Sequence, residues 1–389
     1  MTGGNVLNER VSHTHYKTAK CSNEKKKSII PSLPVEIIFH ILVWIPADIL
    51  YNSMRYVCRQ WYNIICDPVF VKEQLIRSSV GLFINKNRHC QFVEVEKMKG
   101  TMTELGFPFS SPLTATCDGL VLFIVNLPFT YGEVAYVTNP LTKQMLKLPP
   151  HSCQPAQSMY SLACSHLARE YKVVFQCMAH GCQFFDWMIV TVGKDQAWRL
   201  IDSKKLSNHG RTLSPDSRLS TGGFLYHVYH RYTSVVALDV ESETFFEFPS
   251  PTVLHSCGRD DISYLARGKY LSCTVQLKPR TLFDVWELSD PTSGRWRKLY
   301  TFDFDVQKYK SSGMFKGWFS RRAKFAHFRP KAWVNNGEVV VLSVIHNPGP
   351  FIAHNVKTGA TFFIGNRLQD LRYFEVHGYA RSLVSLAPS

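Results

Sequence analysis

The sequence predicts an α+β multidomain chain in which a small N-terminal helical module precedes a large all-β domain arranged as a propeller. Three observations carry this. Apolar residues recur at helical spacing up to about residue 75, and beyond about residue 80 short runs rich in Val, Phe, Tyr and Thr follow, separated by Gly, Pro, Asn and Asp. No long amphipathic helix interrupts those runs, which argues against a parallel α/β sheet. A turn of one kind then returns about every fifty residues, close to the length of a propeller blade. With 389 residues and 45% hydrophobic content, the chain has room and apolar material for one small unit and one large one.

Residues 1–28 hold charges and no apolar run, so they read as a disordered basic leader and not as a secretory signal. Lys25-Lys26-Lys27 belongs to that solvated tail. The helical module is expected over 29–77, with its pattern between Leu33 and Leu75. Pro34 suits the first position of a helix, where a missing N–H costs nothing, and Glu36 answers the free N–H groups of the first turn. Ile37, Ile38, Ile41, Leu42 and Ile45 then fall on one side of a helix. Pro46 ends it and opens a second, with Asp48 in its first turn and Leu50, Met54, Val57 and Trp61 at intervals of four, three and four. Arg59 and Gln60 interrupt the apolar pattern. Ile64 and Ile65 continue it to the Asp67-Pro68 turn, after which Val69, Phe70 and Leu75 indicate a last short segment. A unit of roughly 45 residues buries only about 60% of its unfolded surface, so it needs a partner, either another protein or the rest of this chain.

The ordered set Leu33-Pro34-x-Glu36, Ile41-Leu42, Ile45-Pro46, Val57-Cys58-Arg59-x-Trp61 and Pro68-x-Phe70 resembles an F-box. One departure is Asn52-Ser53-Met54-Arg55, where many members of that family carry a further apolar residue. The resemblance implies a substrate-selecting subunit that docks on the Skp-type adaptor of a cullin ubiquitin ligase and, through it, on the cullin and RING subunit. It implies an adaptor interface formed or supported by Leu33, Pro34, Ile37, Ile41, Leu42, Ile45, Pro46, Leu50, Val57, Cys58 and Trp61, some of which must be core. It also leaves the chemistry to other subunits, so that this chain is not an enzyme and acts by holding a target nearby.

Strands are expected at 120–125, 171–177, 187–192, 234–240, 282–288, 338–345 and 374–376. Asn139 is followed by Thr142 and Pro149, and Asp239 by Ser242 and Pro249 at the same offsets; Asn355 and Thr358 repeat the layout. Weaker copies start at Val192 and Ser289. The turns at 139, 192, 239, 289 and 355 are separated by 53, 47, 50 and 66 residues. The long last gap is expected to hold an inserted loop at 308–328. A β-sandwich pair is the alternative to a closed propeller, because five hairpins alone do not dictate closure. Asn139-Pro140-Leu141-Thr142, Leu148-Pro149 and Cys117-Asp118-Gly119-Leu120 resemble the recurrent unit of the F-box-associated, kelch-like domain of a large plant family. That likeness spans most of 80–389, although only Gly222-Gly223 matches a double-glycine kelch signature. Since connecting loops carry recognition more often than strands, Trp318, Arg321, Arg322, His346 and Tyr264 are the candidates for contact with an unidentified protein target.

The remaining patterns mainly exclude. No run approaches about 18 uninterrupted apolar residues, so no transmembrane helix and no membrane partner are expected. Eleven cysteines without a C-x-x-C pair point to reduced thiols in cytosol or nucleus. Cys177, His180 and Cys182 match no usual zinc spacing, so no metal is expected. His227 and His230, with Tyr226 and Tyr229, read as part of a strand. Motifs for nucleophilic, nucleotide-dependent or metal-dependent catalysis are missing, the proximity of Cys257 to His255 is expected by coincidence alone, and no cofactor is implied. The formal net charge of +15 favours acidic partners. Lys316 to Lys324 is the densest basic group, and with Trp318, Phe319, Arg321, Arg322, Phe325 and Phe328 it supports a second reading, a basic nucleic-acid-binding β protein with a helical cap. An enzyme on a propeller scaffold is a third, for which no site can be nominated.

Overall fold

The computed structural model describes residues 33–386, apart from 87–88, 97–98, 106–112, 127–131, 152–154, 253, 255–256, 279–280, 305–327, 345–350 and 365–374. The basic leader therefore lies outside the described residues. Four helices come first: α1 (Val35–Leu42), α2 (Ala47–Asn52), α3 (Arg59–Cys66) and α4 (Pro68–Arg77). Pro34 and Pro46 stand just outside α1 and α2, because their ψ values of 144° and 142° are extended. Their carbonyls still accept the first helical bonds, from Ile37 and Ile38 and from Leu50 respectively. Pro68 does take the first position of α4, whose N-terminus is closed by Asp67 Oδ1 accepting from the amides of Val69 (2.7 Å) and Phe70 (3.3 Å). The single helix expected from Pro46 through Trp61 is three pieces: α2, a 3-10 turn at Met54–Tyr56, and α3. Ser53 (φ −133°, ψ −57°) and Cys58 (φ −161°, ψ 167°) leave helical backbone between them. Asn52 and Ser53 are poor interior helix residues, since their side chains compete for backbone hydrogen bonds.

The described strands form six four-stranded antiparallel sheets. Taken from the innermost strand outward, blade I holds β4 (Leu113–Cys117), β5 (Leu120–Asn126), β6 (Glu133–Asn139) and β7 (Gln144–Lys147). Blade II holds β8 (Pro155–Cys164), β9 (Tyr171–Ala179), β10 (Asp186–Thr191) and β11 (Arg199–Leu200). After the short helix α5 (Asn208–Thr212), blade III holds β12 (Ser217–Thr221), β13 (Phe224–Tyr229), β14 (Ser234–Asp239) and β15 (Thr244–Pro249). Blade IV comprises β16 (Ile262–Arg267), β17 (Tyr270–Gln276), β18 (Leu282–Asp290) and β19 (Arg295–Asp303), and blade V comprises β20 (Phe328–Val334), β21 (Val339–Val344), β22 (Phe351–Asn355) and β23 (Thr361–Ile364). Blade VI is assembled from both halves of the chain: β24 (Glu375–Ala380) is its innermost strand and pairs with β1 (Val80–Lys86), followed by β2 (His89–Glu96) and β3 (Lys99–Leu105). That pairing closes the ring and removes the sandwich alternative. Apolar residues of neighbouring blades share a core at each seam round the ring, from one holding Leu122 and Val173 between I and II to one holding Phe83, Tyr379 and Val121 between VI and I.

The recurring sequence turn is the hairpin between the third and outermost strands. Asn139 Oδ1 accepts from the Leu141 amide at 2.9 Å, Asp239 Oδ1 from Glu241 at 2.9 Å, Asp290 Oδ1 from Thr292 at 2.9 Å and Asn355 Oδ1 from Lys357 at 2.9 Å. Four residues after each of these side chains the backbone is left-handed, at Lys143, Glu243, Gly294 and Gly359. A short side-chain acceptor replaces a backbone turn bond and sets up the reversal. The equivalent position in blade IV is thus Asp290 and not Ser289. The expected insertion lies between β19 and β20, mostly outside the described residues. Gly222-Gly223 forms the β12–β13 turn with positive φ at both residues, and a Cβ on Gly222 would come within 2.3 Å of the Lys269 carbonyl oxygen of blade IV. Close approach of neighbouring blades explains glycine there without a kelch signature.

Blades II and III also enclose His227, 1% exposed, its ring 4.7 Å from that of Trp187 and both its nitrogens without a hydrogen-bond partner among the described residues. Burial, aided by the Arg218 charge, pulls its pKa down to about 3. The folded value lies below the unfolded value of about 6.5, so the unfolded chain binds the proton and stability falls as pH drops from about 6.5 towards 3. Unfolding free energies from urea titrations across this range are expected to decline more steeply for the native chain than for His227→Phe, by up to about 1.4 kcal/mol per pH unit.

Candidate functional site

The two sides of α1 have opposite fates. Ile38 and Leu42 point into the helical core with Val43, Ala47, Leu50, Ile64, Ile65 and Phe70, and Ile45 packs at its edge. Ile37, Ile41 and Trp44, at helical spacing on the other side, are 46%, 51% and 73% exposed. The expectation that Ile37, Ile38, Ile41, Leu42 and Ile45 share one side is therefore corrected: the paired apolar residues at 37–38 and 41–42 straddle the helix, and each pair contributes one residue inward and one outward.

Leu33, Pro34, Pro46, Val57 and Cys58 are likewise exposed. Leu42 and Leu50 are fully buried, and Trp61 is half-buried against the same core, so these three shape the exposed face from beneath. Sequence spacing did not single out Trp44, Tyr56 and Tyr62, which join that face at 73%, 67% and 49% exposure. Arg77 lies 5.4 Å from the Trp44 ring, and Arg55 lies 3.6 Å from the Tyr51 ring and donates to the Tyr56 hydroxyl. Of the fifteen large apolar side chains exposed among the described residues, eleven fall between Leu33 and Ile76. Such a concentration marks an interaction surface.

The module does not hang free of the propeller. Leu141 of the β6–β7 turn and Leu383 of the C-terminal tail enter its core, Tyr51 donates to the Thr142 carbonyl at 3.3 Å, and Arg381 pairs with Asp48 at 2.7 Å. It sits on the end of the propeller that carries the turns between first and second and between third and fourth strands. These contacts leave the exposed face of α1 uncovered by any described part of the propeller.

Of the target-contact candidates, Trp318, Arg321, Arg322 and His346 lie outside the described residues. Tyr264 is withdrawn: it is 5% exposed within the core between blades III and IV, and its hydroxyl donates to Ser250 Oγ at 2.6 Å. Phe328 opens β20 and is 3% exposed, so it packs a core and offers no stacking surface to a nucleic acid. Phe325 and the other members of that cluster are not among the described residues, and neither is His255.

Among the described residues no group of three or more His, Cys, Asp or Glu side chains is arranged to hold a metal, and no helix is long and apolar enough to cross a membrane. Cys177 faces the core between blades I and II while Cys182 is exposed in the following turn. Burial pushes the Cys164 thiol up to about 12 and raises Cys117 as well, which makes both poor nucleophiles.

Comparison with known proteins places this geometry. The F-box associated beta propeller domain family matches residues 78–344, and the F-box-like family matches residues 30–77. Three relatives from Arabidopsis thaliana are a putative F-box only protein 15 (28% identical, over 46% of this chain and 49% of that protein), a putative F-box/kelch-repeat protein (25%, over 52% and 51%) and an F-box protein (24%, over 72% and 82%). The chain spans about half the length of the first two of these curated relatives.

Proposed function

The chain belongs to the F-box proteins that carry an F-box-associated β-propeller, and on that premise we propose that it is the substrate-recognition subunit of an Skp-cullin-F-box ubiquitin ligase. The exposed apolar stripe of α1 is the observation that carries this reading. A soluble helical module that keeps Ile37, Ile41 and Trp44 in water, while Ile38 and Leu42 already fill its core, is shaped to be covered by a second protein. In this reading the adaptor takes the stripe together with Leu33, Pro34, Pro46, Val57 and Cys58, the cullin and RING subunit follow through the adaptor, and the propeller holds a protein target for ubiquitination and degradation. The chain supplies no catalytic group and no cofactor, and raises the effective concentration of target near the transferring subunits. Cytosol and nucleus are the compartments that suit free cysteines and such a partner.

Co-expression of the full chain with a Skp-type adaptor and cullin tests the reading. A stoichiometric complex is the expected result. A chain that purifies folded but leaves the adaptor behind contradicts it.

A further inference from the structure

At the seam between blades IV and V, an open cleft of about 470 Å³ is lined by Arg267, Lys269, Glu287, Arg297, Tyr300 and Asn336. It lies by the β16–β17 and β20–β21 turns, on the same end of the propeller as the helical module. The contacts that seat the module fall on blade I and the C-terminal tail, and blade IV stands across the ring from blade I. The two turns at the cleft, 268–269 and 335–338, are described throughout. Neighbouring blades fix its walls. The Gly268 carbonyl accepts from Thr221 Oγ1 of blade III at 2.8 Å, and the Lys269 carbonyl packs against Gly222 of the same blade. Arg267 donates from Nε to the Gly337 carbonyl of blade V at 3.3 Å, and a Cβ on Gly337 would come within 2.7 Å of that nitrogen. The backbone of the β16–β17 turn and the Arg267 side chain are thus placed before any ligand arrives.

Among the lining residues Glu287 alone carries a carboxylate, its side chain is 2% exposed, and both its oxygens are taken: Oε2 by Arg267 at 3.2 Å and Oε1 by Arg297 at 2.6 Å. Lys269 is exposed, and its ammonium group forms no ion pair among the described residues; it lies 5.3 Å from the Tyr270 ring. Three cations therefore line the cleft with one carboxylate, an excess of two positive charges. The Tyr300 hydroxyl is buried without a hydrogen-bond partner among the described residues. Arg267, 5.8 Å from that ring, acts on it by charge without the alignment of a hydrogen bond. A buried hydroxyl without a partner costs free energy that an accepting oxygen on a ligand recovers.

We propose that this cleft binds a phosphate group, with Lys269 and Arg297 as its charge partners and the Tyr300 hydroxyl as a neutral donor. A phosphate ester carries close to two negative charges and three acceptor oxygens at neutral pH, which matches both the excess charge and the donors on offer; a carboxylate meets only half of that charge. The volume falls in the range of about 300–1,000 Å³ usual for ligand sites, which leaves room for the group that carries the phosphate. The site goes beyond the ligase reading and does not depend on it.

Phosphorus NMR titration of the full chain with a short Gly-Ser peptide bearing one phosphoserine tests it, and a saturable shift of the phosphoserine signal is expected. Lys269→Met is expected to weaken binding about tenfold, the loss typical of removing one charged partner, and Lys269→Arg to restore most of it. Tyr300→Phe is expected to weaken binding about tenfold as well, as for a hydrogen bond to a charged group, while its unfolding midpoint stays equal or rises. A purely structural hydroxyl gives the reverse, lower stability with native binding. Lys204→Met, an exposed lysine in the connection between β11 and β12, is expected to change affinity less than about twofold, which separates the cleft from the general +15 field. Glutamate in place of the phosphoserine is expected to bind at least about fivefold more weakly, to be followed by its displacement of the phosphopeptide. Inorganic phosphate as competitor distinguishes the source: displacement at concentrations equal to the peptide's own assigns free phosphate, and displacement only at about ten times that concentration or more assigns a phosphate carried on a chain. No saturable shift with the native chain, native affinity in both Lys269→Met and Tyr300→Phe, an equal loss in Lys204→Met, or equal binding of the glutamate peptide overturns the proposal. Lys269→Met is expected to capture the adaptor as the native chain does, so the cleft and the ligase reading fail separately.

Discussion

Ile41→Asp is expected to abolish adaptor capture and leave the fold intact, while Leu42→Ala one position later is expected to do the reverse. Ile41 is 51% exposed at the centre of the outward stripe of α1, and Leu42 is fully buried among Ile38, Leu50 and Phe70. A charge placed in the middle of an apolar interface must be desolvated without a partner, so affinity for the adaptor should fall at least about 100-fold, or roughly 2.7 kcal/mol. The unfolding midpoint should hardly move, because Ile41 contributes little to the core. Leu42→Ala removes buried carbon and leaves a cavity, which costs about 2–5 kcal/mol. Whatever folded fraction survives should still bind. Calorimetric titration of the adaptor and urea unfolding of both variants check this, and similar behaviour of the two would contradict the division of α1 into an inner and an outer side.

The second large effect is expected at Asn139, which is fully buried. Its Nδ2 donates to the carbonyls of Ser382 (3.0 Å) and Val384 (2.7 Å), while Oδ1 accepts from the amides of Leu141 (2.9 Å) and Thr142 (3.4 Å). One side chain thus closes the β6–β7 turn and anchors the C-terminal tail. That tail carries Leu383 into the helical core and Arg381 to Asp48. Asn139→Leu keeps the approximate volume and strands several buried polar groups, each worth about 1–3 kcal/mol when left unpaired. A loss of about 3–5 kcal/mol is expected, together with faster proteolysis after Arg381. A loss below about 1 kcal/mol would mean that the tail is held by other contacts.

These two positions also show what could be read from the residues alone. Asn139, Asp239 and Asn355 announced their hairpins because an Asx side chain at a turn has local chemistry that spacing reveals. Blade VI had no such signal. Its strands lie at 80–105 and 375–380, so no fifty-residue period can contain them, and Glu96 stands where four of the other five blades have Asn or Asp. Ring closure depends on a pairing between residues nearly 300 positions apart, which local pattern cannot register. In the helical module, apolar content was legible and direction was not, since Ile37-Ile38 and Ile41-Leu42 satisfy either side of a helix equally. Tyr264 counts as a contact candidate only on the expectation that it lies in a connecting loop, whereas it stands inside β16. Its hydroxyl is instead satisfied inside by Ser250, a partner 14 residues away that composition does not disclose.

The most direct measurement of the central claim is the alkylation rate of Cys58 with and without saturating Skp-type adaptor. Cys58 is exposed at the start of α3 on the proposed docking face, and Cys182 is exposed in a turn of blade II away from it, so the second thiol is an internal reference. The account predicts that the adaptor slows modification of Cys58 by at least about tenfold and leaves Cys182 unchanged. A bound adaptor that leaves Cys58 as reactive as before, or an adaptor that does not bind the folded chain, would contradict it.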